Sequence, residues 1–257
     1  MGGLALVPLF LASIAAADQL QALLPISLGA RVVTGAKWDG VVIVEPYDHA
    51  RVRLTVERWP KLAAEGIDGL GASCQTLGSV DQEALQVEVR LPLPPQLERA
   101  AGLPFEARLS QVVSWVSQRV RLVEEDRKSQ DARSVFFRRQ GRCSGRANVA
   151  VALLRQLGVP ARVVHGLLFR PEGPAWHRWG EAWIPGLGWR PFDPGVAVGV
   201  LGVRYVPMTG AGEGLPLQGI ALLRVEEREF LELPQLRGLR VPRSWAQLPL
   251  AAGRGRL

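Results

Sequence analysis

Apolar positions change period along this chain, and each change marks a predicted element. Val41-Val42-Ile43-Val44 is a β-branched run, and Arg51–Val56 and Leu85–Arg90 alternate with period two, so residues 31–90 predict a small antiparallel β region. Gly66, Gly69, Gly71 and Gly78 predict a long loop inside it. Pro92, Pro94, Pro95 and Pro104 interrupt both ladder and helix and predict a boundary. Beyond it Leu109, Val112, Val113, Val116, Val120 and Val123 recur at helical spacing, predicting an amphipathic helix over about residues 106–124 with Trp115 in the core.

A second helix follows. Ala147, Ala150, Val151, Leu154 and Leu157 share one face, and Val149, Ala152 and Leu153 carry the apolar surface around the cylinder, as in a buried helix. Gly158 and Pro160 end it. Residues 162–169 predict an apolar strand. Residues 176–184 and 189–194, joined by Pro185-Gly186-Leu187-Gly188, predict a hairpin. If Trp183 opposes Trp189, Asp193 falls diagonal to His177 on one face of that hairpin. Arg204–Val206 and Leu222–Val225 are expected to complete this second sheet.

Composition narrows the field. The 257 residues are 47% hydrophobic and 21% charged, which excludes wholesale disorder, and no apolar run suits a polytopic membrane protein. Two cysteines and three histidines exclude a disulfide scaffold and leave little for metal. The net charge is +7, yet apart from Lys37, Lys61 and Lys128 the basic residues are arginines, most of them scattered; the one cluster, Arg119–Arg146, is read as a solvated helix face, so no nucleic-acid partner is expected. The uncharged stretch Gly2–Ala17, ending Ala15-Ala16-Ala17 before Asp18, predicts a signal peptide over residues 1–17. The expected location is periplasmic or extracellular, without stable membrane insertion; the alternative is a tether formed by the same segment uncleaved.

The chemistry concentrates around Cys143, which opens the buried helix. The amide N–H groups and positive dipole end there favour thiolate and offer donors to an oxyanion, and Arg142 and Arg146 act in the same sense. A thiolate needs a proton carrier and a group that orients it. His177, among the aromatic residues of 176–183, is the candidate carrier; His165 in its apolar strand is expected to be structural and His49 solvated. Asn148, the single asparagine, sits on the cysteine helix itself, so the orienting group is expected to be Asp193. Gln140 is a weaker candidate for the oxyanion site, and Trp179 and Glu181 are expected to support the hairpin. A Cys74–Cys143 disulfide, or a metal held by Cys143, His177 and Asp193, are the competing readings of the same residues.

Gly141-Arg142-Cys143 with Leu154–Gly166, then His177–Trp183 and Gly188–Pro194, resemble the cysteine, histidine and aspartate motifs of the transglutaminase-like superfamily. The resemblance spans roughly residues 105–210 and implies an α+β, papain-like fold with a central helix packed on an antiparallel sheet. It implies a nucleophile at Cys143, a general base and acid at His177, an orienting carboxylate at Asp193, and no cofactor. The implied domains are 18–95, β-rich, and 105–257, catalytic. The implied activity is acyl transfer from carboxamides of a protein or peptide substrate, by hydrolysis or by transamidation; the alternative is a catalytically silent binding module of the same fold. Leu167 departs from the aromatic residue that bacterial members often carry after the strand glycine.

Overall fold

The computed structural model describes residues 18–37, 40–58, 82–185, 188–194, 197–198, 201–210 and 215–227. The first described elements are β1 (Asp18–Pro25), α1 (Ile26–Gly29), β2 (Gly35–Lys37), β3 (Gly40–Pro46) and β4 (Arg51–Arg58). The helical stretch follows: α2 (Pro95–Ala100), α3 (Phe105–Arg119), β5 (Arg121–Leu122), α4 (Ala132–Arg138), β6 (Gln140–Gly141) and α5 (Cys143–Gln156). Last come β7 (Ala161–Arg170), β8 (Gly173–Ile184), β9 (Gly188–Asp193), β10 (Ala197–Val198), β11 (Tyr205–Pro207) and β12 (Ala221–Glu226). Two five-stranded sheets result, ordered β12-β1-β4-β3-β2 and β10-β9-β8-β7-β11, with antiparallel pairing throughout. The fold is α+β.

Helix α5 is the structural centre. Its Val149, Leu153 and Leu154 share a core with Leu109, Val112 and Val116 of α3 and with Ala182, Ile184 and Phe192 of the second sheet, most of them wholly buried. That all-round burial is what its all-round apolar sequence predicts. Helix α3 stops earlier than expected because Val120 turns extended and residues 121–122 pair in parallel with 140–141.

A second core joins the sheets. Leu20, Leu24, Leu54 and Val56 of the first pack with Leu167, Phe169 and Val206 of the second. The backbone decides two departures from expectation. Leu222–Val225 lies in the first sheet, where Leu20 opposes Val225, and not beside the β8–β9 hairpin. Residues 85–90 form no strand: Gln82–Leu85 is a 3-10 turn and the chain beyond it is irregular. The backbone there is satisfied by α5 side chains, since Gln156 bonds both the N–H and the carbonyl of Leu91, at 2.9 and 2.8 Å, and Arg155 reaches the Gln86 carbonyl. The proline-rich break contains α2, with Pro95 at its first helical position and Leu97 buried in the α5 core. The predicted glycine-rich loop lies in residues 59–81, and the predicted signal peptide in residues 1–17; both fall outside the described residues, as does Cys74.

Candidate active site

Two glycines fix the start of α5. A Cβ on Gly145 would lie 2.5 Å from Gln130 Oε1, and one on Gly141 3.1 Å from the same atom. The amide of Gln130 uses that space: its Oε1 accepts the Arg142 N–H at 2.7 Å, and its own carbonyl accepts from Asn148 Nδ2 at 2.8 Å. Asn148 is thereby committed to the scaffold of the cysteine helix. Cys143 follows as the first residue of α5, half-buried and a free thiol.

The opposing wall is the hairpin of β8 and β9. Trp183 opposes Trp189, as the alternation predicts, and Gly180 opposes Phe192. A Cβ on Gly180 would sit 2.1 Å from the Phe192 ring, so only glycine lets that ring close the sheet against α5. With this register Asp193 ends β9 one residue beyond Phe192 and reaches back to His177 on β8. His177 Nε2 and Asp193 Oδ2 are 2.6 Å apart, with both residues buried. The other ring nitrogen, Nδ1, faces no well-aligned partner in the resting site. The Cys143 sulfur nonetheless acts on the ring, and the Arg178 backbone N–H donates to that sulfur. Unliganded active sites commonly hold such catalytic hydrogen bonds long.

Electrostatics follow from the geometry. Burial works to lower the His177 pKa, but the Asp193 hydrogen bond and then Cys143 outweigh it and push it up to about 9. Burial works to raise the Cys143 pKa, but the His177 hydrogen bond and charge and the Arg178 N–H outweigh it, so it lies below the usual thiol value. The arrangement therefore favours a thiolate beside an imidazolium.

One contributor was not legible in the sequence, and a second, Arg146, was legible there only as a charge near Cys143. Tyr205, fully enclosed on β11, donates its hydroxyl to the same Asp193 Oδ2 at 3.0 Å. Burial first, and then the Asp193 charge, hold its pKa well above the ordinary phenol value, so it stays a donor. Its ring meets His177 and Trp179 edge-on, with centroids 5.8 and 5.4 Å apart. Trp179 reaches it across β7 over Gly166, where a Cβ would lie 2.5 Å from the indole. The one available signal was a lone tyrosine in an apolar strand, whose hydroxyl must find a partner once buried. Arg146, buried one helical turn beyond Cys143, donates from Nη2 to the Pro194 carbonyl at 2.8 Å. Burial depresses its pKa, while the charges of Asp193 and Cys143 act to retain the proton.

The remaining candidates take other places. Glu181 is buried and paired at 2.7 Å with Arg162, opposite it on β7, a strut for the hairpin. Gln140 is held by Arg121, whose Nη2 donates to its Oε1 at 2.7 Å. His49 is exposed in the bend between β3 and β4, and His165 is half-buried on β7. Among the described residues no cluster of three or more His, Cys, Asp or Glu side chains has the geometry to hold a metal ion.

Residues 96–194, from α2 through the residue after Asp193, match the family model of the transglutaminase-like superfamily. Over those residues the chain is similar to the transglutaminase-like core. Solved structures give distant likenesses. A candidate cysteine protease from Cytophaga hutchinsonii is 16% identical, with 83% of this chain and 84% of that one covered and a TM-score of 0.41. The periplasmic domain of TgpA from Pseudomonas aeruginosa is 18% identical over 68% and 69% of the two chains, at 0.45. A TGase is 13% identical over 64% and 45%, at 0.32. No curated protein matches the chain. Identities this low carry no activity over to it.

Proposed function

We propose that this protein is a thiol-dependent amidohydrolase acting on peptide or glutamine amides, with Cys143, His177 and Asp193 as its triad. The observation that carries the reading is a single buried imidazole bonded to Asp193 through Nε2 while the Cys143 sulfur is close enough to act on the same ring. In this reading the thiolate attacks the carboxamide carbon and an oxyanion forms. The N–H groups that open α5 stabilise it, because they have no intrahelical acceptor. His177 gives its proton to the departing amine, the C–N bond breaks, and a thioester remains on Cys143. Water then attacks that thioester as His177 takes its proton, releasing the carboxylic acid and regenerating the thiolate. Asp193 stays ionised and keeps the ring in place.

Water is the acceptor in this proposal because Cys143 is only half-buried among the described residues, whereas transfer to an amine requires water to be shut out. Export of the chain, proposed from the uncharged stretch of residues 2–17, would place its protein or peptide substrates outside the cytoplasm. Among the described residues no helix is long and apolar enough to cross a membrane.

The test incubates the protein with glutamine-containing peptides, with and without a fluorescent primary alkylamine, and reads the products by mass spectrometry. Hydrolysed product without amine adduct supports the proposal; adduct as the main product assigns a transamidase instead. Cys143→Ala should remove all turnover while leaving the fold intact, and turnover that survives in it refutes the triad.

A further inference from the structure

Away from the triad, two adjoining hollows of about 500 and 360 Å³ share Pro94, Pro95 and Arg139 and so form one trench. The Pro92–Pro95 run makes one wall, and Trp115, Phe136 and Phe137 make the other. Among the described residues no acidic side chain lines either hollow. The floor is cationic. The Arg139 guanidinium lies over the rings of Trp115 and Phe136, 4.7 and 4.5 Å from their centroids, and Arg119 lines the same hollow. The two cations are close enough for the Arg119 charge to act against protonation of Arg139, after burial, which acts the same way first.

Two further features mark this place. Arg139 has φ +56, the one non-glycine residue with positive φ among the described residues. The helix end it caps would be met more cheaply by glycine, so an arginine is kept there against a backbone cost. Phe137 is 59% exposed, more than any other large hydrophobic side chain described, which gives the trench an uncovered apolar rim. Arg139 is also only four residues before Cys143, so the chain between them spans at most about 14 Å.

We propose that this trench docks an acidic, apolar segment of the substrate polypeptide, with carboxylates meeting Arg139 and Arg119 and an apolar side chain packing on Phe137 and the proline wall. The complementarity is electrostatic and hydrophobic together: a guanidinium already stacked on two rings keeps its edge N–H groups for a carboxylate. The assignment of the bound segment to a substrate rests on the catalytic proposal above; the binding itself does not.

The experiment therefore measures binding on the Cys143→Ala protein, where no turnover is needed. A fluorescein-labelled peptide alternating glutamate with leucine or phenylalanine is titrated by anisotropy, beside a copy with lysine for every glutamate. The acidic peptide should bind with an affinity that falls as salt rises, and the lysine copy should not bind. Arg139→Gly suits the test because glycine relieves the positive-φ backbone while removing the cation, and Arg119→Ala alters an exposed helical position. Each should weaken binding of the acidic peptide at least tenfold. Equal binding of both peptides, or affinities unchanged in both variants, overturns the trench as a docking site. With active protein, an acidic extension should lower KM for a glutamine peptide, and Arg139→Gly should abolish that difference between the extended and unextended peptides. Binding without this kinetic advantage would overturn the assignment to substrate alone.

Discussion

Tyr205 donates its hydroxyl to Asp193 Oδ2, the same oxygen that lies 2.6 Å from His177 Nε2. One carboxylate oxygen thus serves two donors, and the tyrosine takes a share of negative charge that would otherwise act on the imidazole alone. Removing the hydroxyl should make Asp193 a stronger acceptor for His177 and leave it freer to rotate. Tyr205→Phe is expected to lower kcat about tenfold and to move the alkaline limb of the rate profile, set by a His177 pKa of about 9, upward. The phenyl ring keeps the edge-on packing, so the melting temperature should change little. An unshifted alkaline limb at undiminished kcat would show that the bond has no part in positioning Asp193.

The pKa values of His177 and Cys143 move in opposite senses, and this shapes stability against pH. His177 is raised from 6.5 to about 9, so its contribution is full below pH 6.5 and is lost as pH rises through about 9. Cys143 is lowered from 9.0, so its contribution is present above that value and is lost as pH falls through the depressed folded pKa. In the part of the interval from 6.5 to about 9 that lies above the lowered Cys143 pKa, one loss offsets the other, because the unfolded pair holds a thiol and a neutral imidazole and the folded pair holds the same single proton on the ring. The pair should therefore add no slope to stability in that window. Cys143→Ala removes one partner, and its melting temperature, read by calorimetry, should decline across the window relative to the parent. Parallel curves for the two proteins would contradict proton transfer within the pair.

Arg146 places a buried cation beside both the sulfur and the carboxylate, and its bond to the Pro194 carbonyl ties the cysteine helix to the end of the aspartate strand. Arg146→Met keeps much of the side-chain volume and removes the charge. The thiol pKa should rise, and iodoacetamide should alkylate Cys143 several-fold more slowly at about pH 6. Arg146→Lys keeps the charge without the planar fork and should fall between. An alkylation rate equal in all three would mean the guanidinium does not act on the sulfur.

The sequence announces α5 and the hairpin because each obeys one strong period and ends in glycine or proline. The diagonal placement of His177 and Asp193 then follows from a single pairing, Trp183 with Trp189. Elsewhere local pattern misleads. Residues 85–90 alternate like a strand, yet Leu85 and Val87 are exposed and side chains of α5 take up the backbone there. Residues 18–25 also alternate, with Leu20, Ala22 and Leu24 wholly buried, but the strand they form gains its partners from residues 51–58 and 221–226, a pairing no local window contains. Tyr205 is hidden for the same reason: its role depends on β7 lying between it and His177.

Gly145 offers the sharpest test of how the nucleophile is held. In an ordinary helix, alanine for glycine gains up to about 1 kcal/mol. Here the added Cβ would lie 2.5 Å from Gln130 Oε1 and 2.7 Å from Val135 Cγ2, inside any real contact distance. The Gln130 amide cannot yield freely, because Oε1 holds the Arg142 N–H, its Nε2 bonds the Lys128 carbonyl at 2.8 Å, and its backbone carbonyl accepts from Asn148. Moving it releases the backbone one residue ahead of Cys143. Gly145→Ala should therefore reverse the usual sign and cost about 1–3 kcal/mol in chemical denaturation, with a matching fall in thiol reactivity. Gln130→Ala in the same chain removes the oxygen that clashes, so the double variant should lose less stability than the two single costs added together. If Gly145→Ala instead stabilises the protein at full thiol reactivity, the close approach of Gln130 is not what seats Cys143 at the helix start.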